Sequence, residues 1–294
     1  MIDTIPEPED VPFTVQLKAL LDQETRYQPK LCGLRIIESA QENGLRMTAR
    51  LRDFEVKDLL SLTRFFGFCA DTFSLAVSLL DRFLSVMKIQ PKHLSCVGLC
   101  CFYIAIKSSE EENVPAASEL IRISQSRFTV SDMMRMEKII LEKLHWKVRA
   151  PTPLLFLRLF HSFILQQLDM DSKKSLNIER LEAQLKACHC SFAFTKIKPS
   201  LLALAILAFE VQEQGLCELT ETQDTLQLQS HIKGGDLVCV RELVGKCLME
   251  YSSTKCSRPS NRKLRWLISG RTARQLKRSY YKIAHLPTIP EVAS

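Results

Sequence analysis

A run of eleven residues without a charged side chain, from Cys96 to Ile106, is the feature that most constrains this fold. An exposed helix would carry a polar face, so the run predicts a helix that is buried on all sides. It is too short to span a bilayer. Lys107 and then an acidic cluster follow it, which indicates where the buried helix reaches the protein surface.

The same pattern returns 104 residues later in the chain. The apolar run Val97–Ala105 falls on Leu201–Phe209, which is also wholly apolar. At this offset a second helix matches too: Met133, Met134, Met136, Ile139, Ile140 and Leu144 fall on Leu237, Val238, Val240, Leu243, Val244 and Leu248. Chance agreement between apolar helices is the alternative, but one offset serves two separate segments. Two five-helix domains in tandem are therefore predicted.

Composition agrees with an all-α fold, since 46% of residues are hydrophobic, 25% are charged, and helical periodicity dominates. The rigid segment Ala150-Pro151-Thr152-Pro153 predicts the boundary between the domains. We expect an N-terminal helical segment (1–44), a first five-helix domain (45–150), a second (151–253) and a basic C-terminal tail (254–294). The tail is basic because ten basic residues and no acidic one lie between Lys255 and Lys282.

Local signals predict several helix ends in the first domain. Thr48 should begin a helix that Gly67 closes. Asp71-Thr72 should cap the next helix, and Pro91 should start the buried one, which ends near Ser109. Thr129 to Asp132 should cap a later helix.

The eleven cysteines favour neither disulfides nor metal. The N-terminus does not resemble a signal peptide, and no C-x-x-C pair occurs. In Cys188-His189-Cys190 neighbouring side chains point in different directions on a helix, which argues against zinc. We expect a reducing intracellular protein that binds no metal, cofactor or membrane. No phosphate loop, metalloprotease motif or nucleophile elbow occurs, so an enzyme is not expected.

Three segments carry a family resemblance. Ser74–Leu84, with Asp81-Arg82-Phe83-Leu84, resembles the second helix of a cyclin box. Ala105-Ile106-Lys107 with its acidic followers resembles the end of the third helix, and Met134-Arg135-Met136-Glu137 resembles the fifth. The tail from Gly270 onward and the overall length resemble the G-type cyclins.

This resemblance implies a non-catalytic regulatory or adaptor subunit that acts in cell-cycle or growth control, in nucleus and cytoplasm. Its partner would be a cyclin-dependent protein kinase, bound through Lys107 and Glu137 with Ser108 and Glu110 beside them. A serine/threonine protein phosphatase regulatory subunit is a further implied partner. The plainer reading is that Lys107 only complements its helix C-terminus. The repeat places Val211 and Arg241 at the positions of Lys107 and Glu137, so the fold does not require either charge.

The substrate-docking patch of many cyclins is degenerate in this sequence. The resemblance aligns it with Leu51, Arg52, Glu55 and Asp58, so two carboxylates stand where apolar contacts are usual. Docking of basic-leucine motifs is therefore not expected.

The basic tail leaves alternatives open. Arg271, Arg274, Lys277 and Arg278 lie around an apolar helical stripe. This segment could pack on the second domain, bind an import receptor or acidic partner, or contact nucleic acid. A nucleic-acid-binding, cyclin-fold transcription factor is the alternative function, and the tail is its only support.

Overall fold

The computed structural model describes residues 12–41, 46–110, 114–167 and 176–252, apart from the side chains at 217 and 252. The basic tail, with its predicted site residues, lies outside this range. Twelve α-helices and three short 3₁₀ turns form the regular structure of the described residues. The helices are α1 (Phe13–Glu24), α2 (Leu31–Glu38), α3 (Ala49–Phe66), α4 (Ala70–Val86), α5 (Leu94–Ser109), α6 (Ala117–Ile123), α7 (Val130–Lys143), α8 (Pro153–Gln167), α9 (Ile178–His189), α10 (Pro199–Glu213), α11 (Thr220–Gln229) and α12 (Gly234–Ser252).

The tandem repeat predicted from the sequence is present in the helix order. A shift of 104 residues places the starts of α3 to α7 within four residues of the starts of α8 to α12. The two buried helices, α5 and α10, correspond under this shift. The predicted all-α fold with two five-helix sets is confirmed.

The described chain packs into two compact units. One contains the described residues of Gln28–Ala150 and Lys186–Ile197 and those from Cys247 onward; the other contains the described residues of Met1–Tyr27, Pro151–Leu185 and Lys198–Lys246. Helix α1 belongs to the second unit, where it contacts α8 and α10. The domain boundaries drawn from the sequence stay a prediction.

Helix α5 is the centre of the first unit and packs against α3, α4 and α7. Every residue from Cys96 to Ile106 is buried except Tyr103, which is half-buried. The expected burial on all sides is therefore correct. At about 25 cal/mol per Å² of apolar surface, such a helix contributes strongly to the stability of its unit.

Most predicted helix ends are found. The Thr48 side chain accepts a hydrogen bond from the Leu51 amide at 3.3 Å, and Gly67 ends α3 with a φ of 73°. Thr129 and Asp132 form a capping box at the start of α7. These ends follow local chemistry, which explains why the sequence predicts them.

One predicted cap is wrong. Helix α4 begins at Ala70, so Asp71 and Thr72 lie inside its first turn. Its N-terminus is instead capped by Glu110, the residue that follows α5, because the Glu110 carboxylate accepts hydrogen bonds from the Cys69 amide (3.0 Å) and the Thr72 hydroxyl (2.7 Å).

Within the described residues, no helix is long and apolar enough to cross a membrane. The same residues contain no group of three potential metal ligands.

Candidate functional site

Lys107 and Glu137 meet at the surface end of the buried helix. The Lys107 ammonium donates to the Glu137 carboxylate and lies 4.5 Å from the centre of the Tyr103 ring. The side chains are 39% and 15% exposed. Packing of α5 against α7 brings these residues together although they are thirty positions apart. The sequence predicts both residues as parts of a binding site, but it does not predict that they contact each other.

Helix α7 places exposed apolar side chains beside this ion pair. Met134 is 64% exposed and Val130 is 38% exposed. They precede Glu137 by three and seven positions, so the three residues share a helix face. We call this surface, formed by Lys107, Val130, Met134 and Glu137, the α5–α7 edge.

In the sequence, Met134 is one of the apolar matches of the repeat. Its exposure at the surface is not predicted. Its partner in the repeat, Val238, is also exposed, at 44%. Neighbours in both copies, such as Met133 and Leu237, are buried as the periodicity requires. The signal available in the sequence was the spacing of Val130, Met134 and Glu137 along one face.

The two flanking residues of the predicted kinase-binding set lie differently. Ser108 is half-buried in the last turn of α5. The Glu110 carboxylate accepts the hydrogen bonds that cap α4. Burial disfavours its charge, but the hydrogen bonds from Thr72 and Cys69 outweigh that effect and lower the pKa of Glu110. Glu110 thus has a structural role as the cap of α4.

Arg52, expected in the degenerate docking patch, is a core residue. Its side chain is 1% exposed. It donates to both carboxylate oxygens of Asp81, at 2.8 and 2.6 Å, to Asp53 at 3.2 Å, and to the backbone carbonyl of His189 at 2.6 Å. Its donors are engaged inside the unit and do not face a surface groove.

The other three residues of the predicted patch also lie on α3. Leu51 is half-buried and packs against the core. Glu55 and Asp58 line a cavity of about 60 Å³ between α3, α5 and the turn after α6. Burial raises the pKa of Asp58 to about 6. Burial, reinforced by the charge of Asp58, raises the pKa of Glu55 well above its usual range.

His189 and its neighbours form part of the core. Its Nε2 atom lies 3.0 Å from the Ser74 hydroxyl, and its ring contacts Phe73 edge to face. Burial and then the nearby charge of Arg52 lower the pKa of His189 to about 3. The ring is therefore a neutral packing element.

The second unit has different residues at the equivalent helix end. Val211 is buried. Beside it, the fully buried Glu210 accepts hydrogen bonds from Arg180 (3.1 Å), Gln184 (2.6 Å) and Gln214 (2.8 Å). This network holds helices together, and it includes an ion pair in which the Arg180 side chain is 55% exposed and the Glu210 side chain is fully buried.

Comparisons with known proteins agree with this architecture. The sequence-family model "Cyclin, N-terminal domain" matches residues 16–149. Human Cyclin-G1 is 64% identical over 293 residues, which cover 99% of this chain and 99% of that protein.

Solved structures show the same fold at low sequence identity. A viral cyclin from herpesvirus saimiri superposes with a TM-score of 0.61 at 20% identity, covering 80% of this chain and 99% of the other. A chain of the CAK complex of Chaetomium thermophilum bound to ATP-γ-S gives a TM-score of 0.52 at 12% identity, covering 92% and 84%. The chain has the tandem helical sets, and it is 64% identical to a G-type cyclin over almost the full length of both proteins. It therefore belongs to the cyclin family, in its G-type group.

Proposed function

We propose that this chain is a non-catalytic regulatory subunit that binds a cyclin-dependent protein kinase through the α5–α7 edge. The observation that carries the proposal is the ion pair of Lys107 and Glu137, exposed at the end of an otherwise uncharged, buried helix. Membership of the cyclin family supports a role in cell-cycle regulation and a kinase as the partner.

The chemistry of the edge suits the end of a partner helix. Lys107 offers donors for unpaired carbonyls, and Glu137 offers acceptors for unpaired amides. Met134 and Val130 supply apolar area next to these polar groups. Interfaces commonly combine an apolar centre with a few directed polar contacts, and methionine is frequent in them.

The same residues contribute little to the stability of the free chain. An exposed ion pair is worth about 0–1 kcal/mol, and the Lys107 side chain is 39% exposed. In a desolvated interface, truncating one member of a charged set costs about 2–5 kcal/mol of binding. Substituting Lys107 or Glu137 should therefore weaken binding to the kinase without lowering the stability of the fold.

The test uses Lys107→Ala and Glu137→Ala in the full chain. We expect binding to a purified cyclin-dependent kinase to weaken by at least about 30-fold, as measured by calorimetry, with an unchanged melting temperature. Lys138→Ala is the matched control, because Lys138 lies on the same helix, is 76% exposed and pairs only loosely with Glu142, at 3.8 Å. Equal affinity for wild type and Lys107→Ala would contradict the proposal.

Recruitment of a serine/threonine phosphatase regulatory subunit and residence in nucleus and cytoplasm are proposals that rest on the family resemblance. Co-purification of the subunit with the wild-type chain and imaging of the tagged chain test them. The alternative of nucleic-acid binding rests on the basic tail, and a steep salt dependence of duplex binding would support it.

A further inference from the structure

Three thiols lie close together in the first unit, at the end of α9 and on the last turns of α12. Cys188 and Cys190 come from the end of α9 and the residue after it, and Cys247 comes from α12. Cys188 is fully buried, Cys190 is 3% exposed and Cys247 is 7% exposed. All three are free cysteines. None of them belongs to the α5–α7 edge.

The Cys188 and Cys247 thiols contact each other across the two helices. The Cys188 thiol donates a side-chain hydrogen bond to the sulfur of Cys247. The Cys247 thiol in turn donates to the backbone carbonyl of Ala187, at 3.9 Å. The Cys190 thiol has a different partner, since it is hydrogen-bonded with the Tyr251 hydroxyl. The fold therefore pairs the sulfurs of Cys188 and Cys247.

A second pair of neighbouring thiols lacks the freedom to react in the same way. Cys96 and Cys100 also share a hydrogen bond, but they lie one turn apart on α5. Side chains four positions apart on a helix have β-carbons about 5–6 Å apart, whereas a disulfide needs about 3.5–4.5 Å. A disulfide there would distort the buried helix. Cys188 and Cys247 come from separate helices, so helix geometry does not hold their β-carbons apart.

We propose that Cys188 and Cys247 are a redox-sensitive modification site that hydrogen peroxide converts to a disulfide. Cys247, the more accessible of the two, reacts first. Its sulfur attacks one peroxide oxygen, the O–O bond breaks, and the released hydroxide takes the thiol proton to leave as water, which gives a sulfenic acid. The Cys188 sulfur then attacks the Cys247 sulfur, the S–O bond breaks, and the hydroxyl leaves with the Cys188 proton as a second water. Two thiols and one peroxide thus become one disulfide and two waters.

The electrostatics of the pair agrees with this order of steps. The thiolate is the reactive form of cysteine. The hydrogen bond from Cys188 lowers the pKa of the Cys247 thiol, although burial and the nearby Glu250 and Asp53 carboxylates oppose this effect. Donating that hydrogen bond, together with burial, raises the pKa of the Cys188 thiol, which therefore keeps its proton until the second step.

The disulfide would join the end of α9 to the last turns of α12, the helix that precedes the basic tail in the sequence. Because Cys188 and Cys247 are far apart in the chain, the bond closes a long loop and constrains the unfolded state. Transient disulfides of this kind are typical of redox sensing where thiols are otherwise kept reduced, which agrees with the reduced cysteines expected from the sequence. Reaction of this pair does not depend on kinase binding at the α5–α7 edge.

The experiment treats the reduced full-length chain with a small excess of hydrogen peroxide, alkylates the remaining thiols and digests the product with trypsin. Trypsin places Cys188 on the peptide 187–196 and Cys247 on the peptide 247–255. We expect mass spectrometry to find the two peptides linked, and dithiothreitol to separate them. Recovery of both peptides only in unlinked form, alkylated or oxidised beyond the sulfenic acid, would overturn the proposal.

Variants assign the link to one pair, because the peptide 187–196 also contains Cys190. Cys188→Ser and Cys247→Ser should each abolish the linked species. Cys190→Ser is the matched control, since Cys190 is also buried and lies two positions from Cys188, and it should leave the linked species unchanged. A link that persists in Cys188→Ser and is lost in Cys190→Ser would refute the assignment. Fragmentation of the wild-type linked peptide between Cys188 and Cys190 gives the same answer if a variant fails to fold.

Two further measurements show whether the disulfide belongs to the native fold of one chain. On a non-reducing denaturing gel the linked species should migrate as a single chain; a link found only in a dimer band would be intermolecular and would contradict the proposal. Oxidised wild type should melt at a higher temperature than reduced wild type, and this difference should vanish in Cys247→Ser. An oxidised chain that melts at a lower temperature would mean that the bond forms only by distorting the fold, which would also refute the assignment.

Discussion

Removing Arg52 should destabilise the first unit strongly, and the size of the loss follows from its contacts. The guanidinium is 1% exposed and binds Asp81 through two hydrogen bonds. It also binds Asp53 and the His189 carbonyl. In Arg52→Met the Asp81 carboxylate and this carbonyl would stay buried without their donor.

Breaking a buried ion pair by removing one partner typically costs about 3–5 kcal/mol. For a unit of this size, 1 kcal/mol corresponds to about 2–4 °C in melting temperature. We therefore expect Arg52→Met to lower the melting temperature by about 10 °C. Arg52→Lys keeps the charge but loses the paired geometry, so its loss should be smaller but still measurable.

Thermal and urea unfolding followed by circular dichroism measure this effect. Arg64→Met is the control, because Arg64 lies on the same helix and is exposed. The double variant Arg52→Met, Asp81→Leu should recover most of the loss, since it removes both buried charges. Stability of Arg52→Met within about 1 kcal/mol of wild type would refute a structural role and return Arg52 to the list of candidate docking residues.

Two further predictions concern charged groups of the same unit. Glu110→Gln should destabilise by about 1 kcal/mol at neutral pH through loss of the α4 cap. Because the folded pKa of Glu110 is lowered, the wild-type advantage should vanish as pH falls from 4.5 through that pKa; an equal gap at low and neutral pH in urea titrations would contradict this. The folded pKa of His189 is about 3 against an ordinary 6.5, so only the unfolded chain takes up its proton between these values. Stability should fall as pH drops through this window, and less steeply in His189→Gln; parallel melting-temperature profiles of the two proteins would argue otherwise.

Residues whose structure depends on nearby sequence were predicted well. The buried helix follows from an uncharged run, Thr48 and Gly67 mark the ends of α3, and the 104-residue repeat orders the helices. Each of these signals lies within a few turns of chain or recurs at one offset. They are sufficient to predict the helices and their order without knowledge of any long-range contact.

Residues with distant partners were not predicted. Arg52 meets Asp81 and the His189 carbonyl, which lie 29 and 137 positions away, and no periodicity in the sequence joins them. Glu110 caps α4 across 41 positions, although Asp71 and Thr72 offered good local capping chemistry. At the cavity lined by Glu55 and Asp58, the sequence shows two carboxylates in place of apolar contacts. It does not show that Gly98, which has no β-carbon, leaves room for the Glu55 carboxylate.

The ion pair at the α5–α7 edge is not an obstacle to binding, even though both members are already paired in the free chain. A partner that separates Lys107 from Glu137 forfeits about 0–1 kcal/mol, since the lysine end of the pair is open to water. Truncating one of these groups in a desolvated interface costs several times as much. Until a partner arrives, the pair keeps both groups hydrogen-bonded next to exposed Met134. At the end of α10 the second unit pairs Arg180 with Glu210, which is fully buried, and a partner that separated them would leave a buried charge unpaired at a cost of about 3–5 kcal/mol. This difference supports kinase binding by the first five-helix set and not the second.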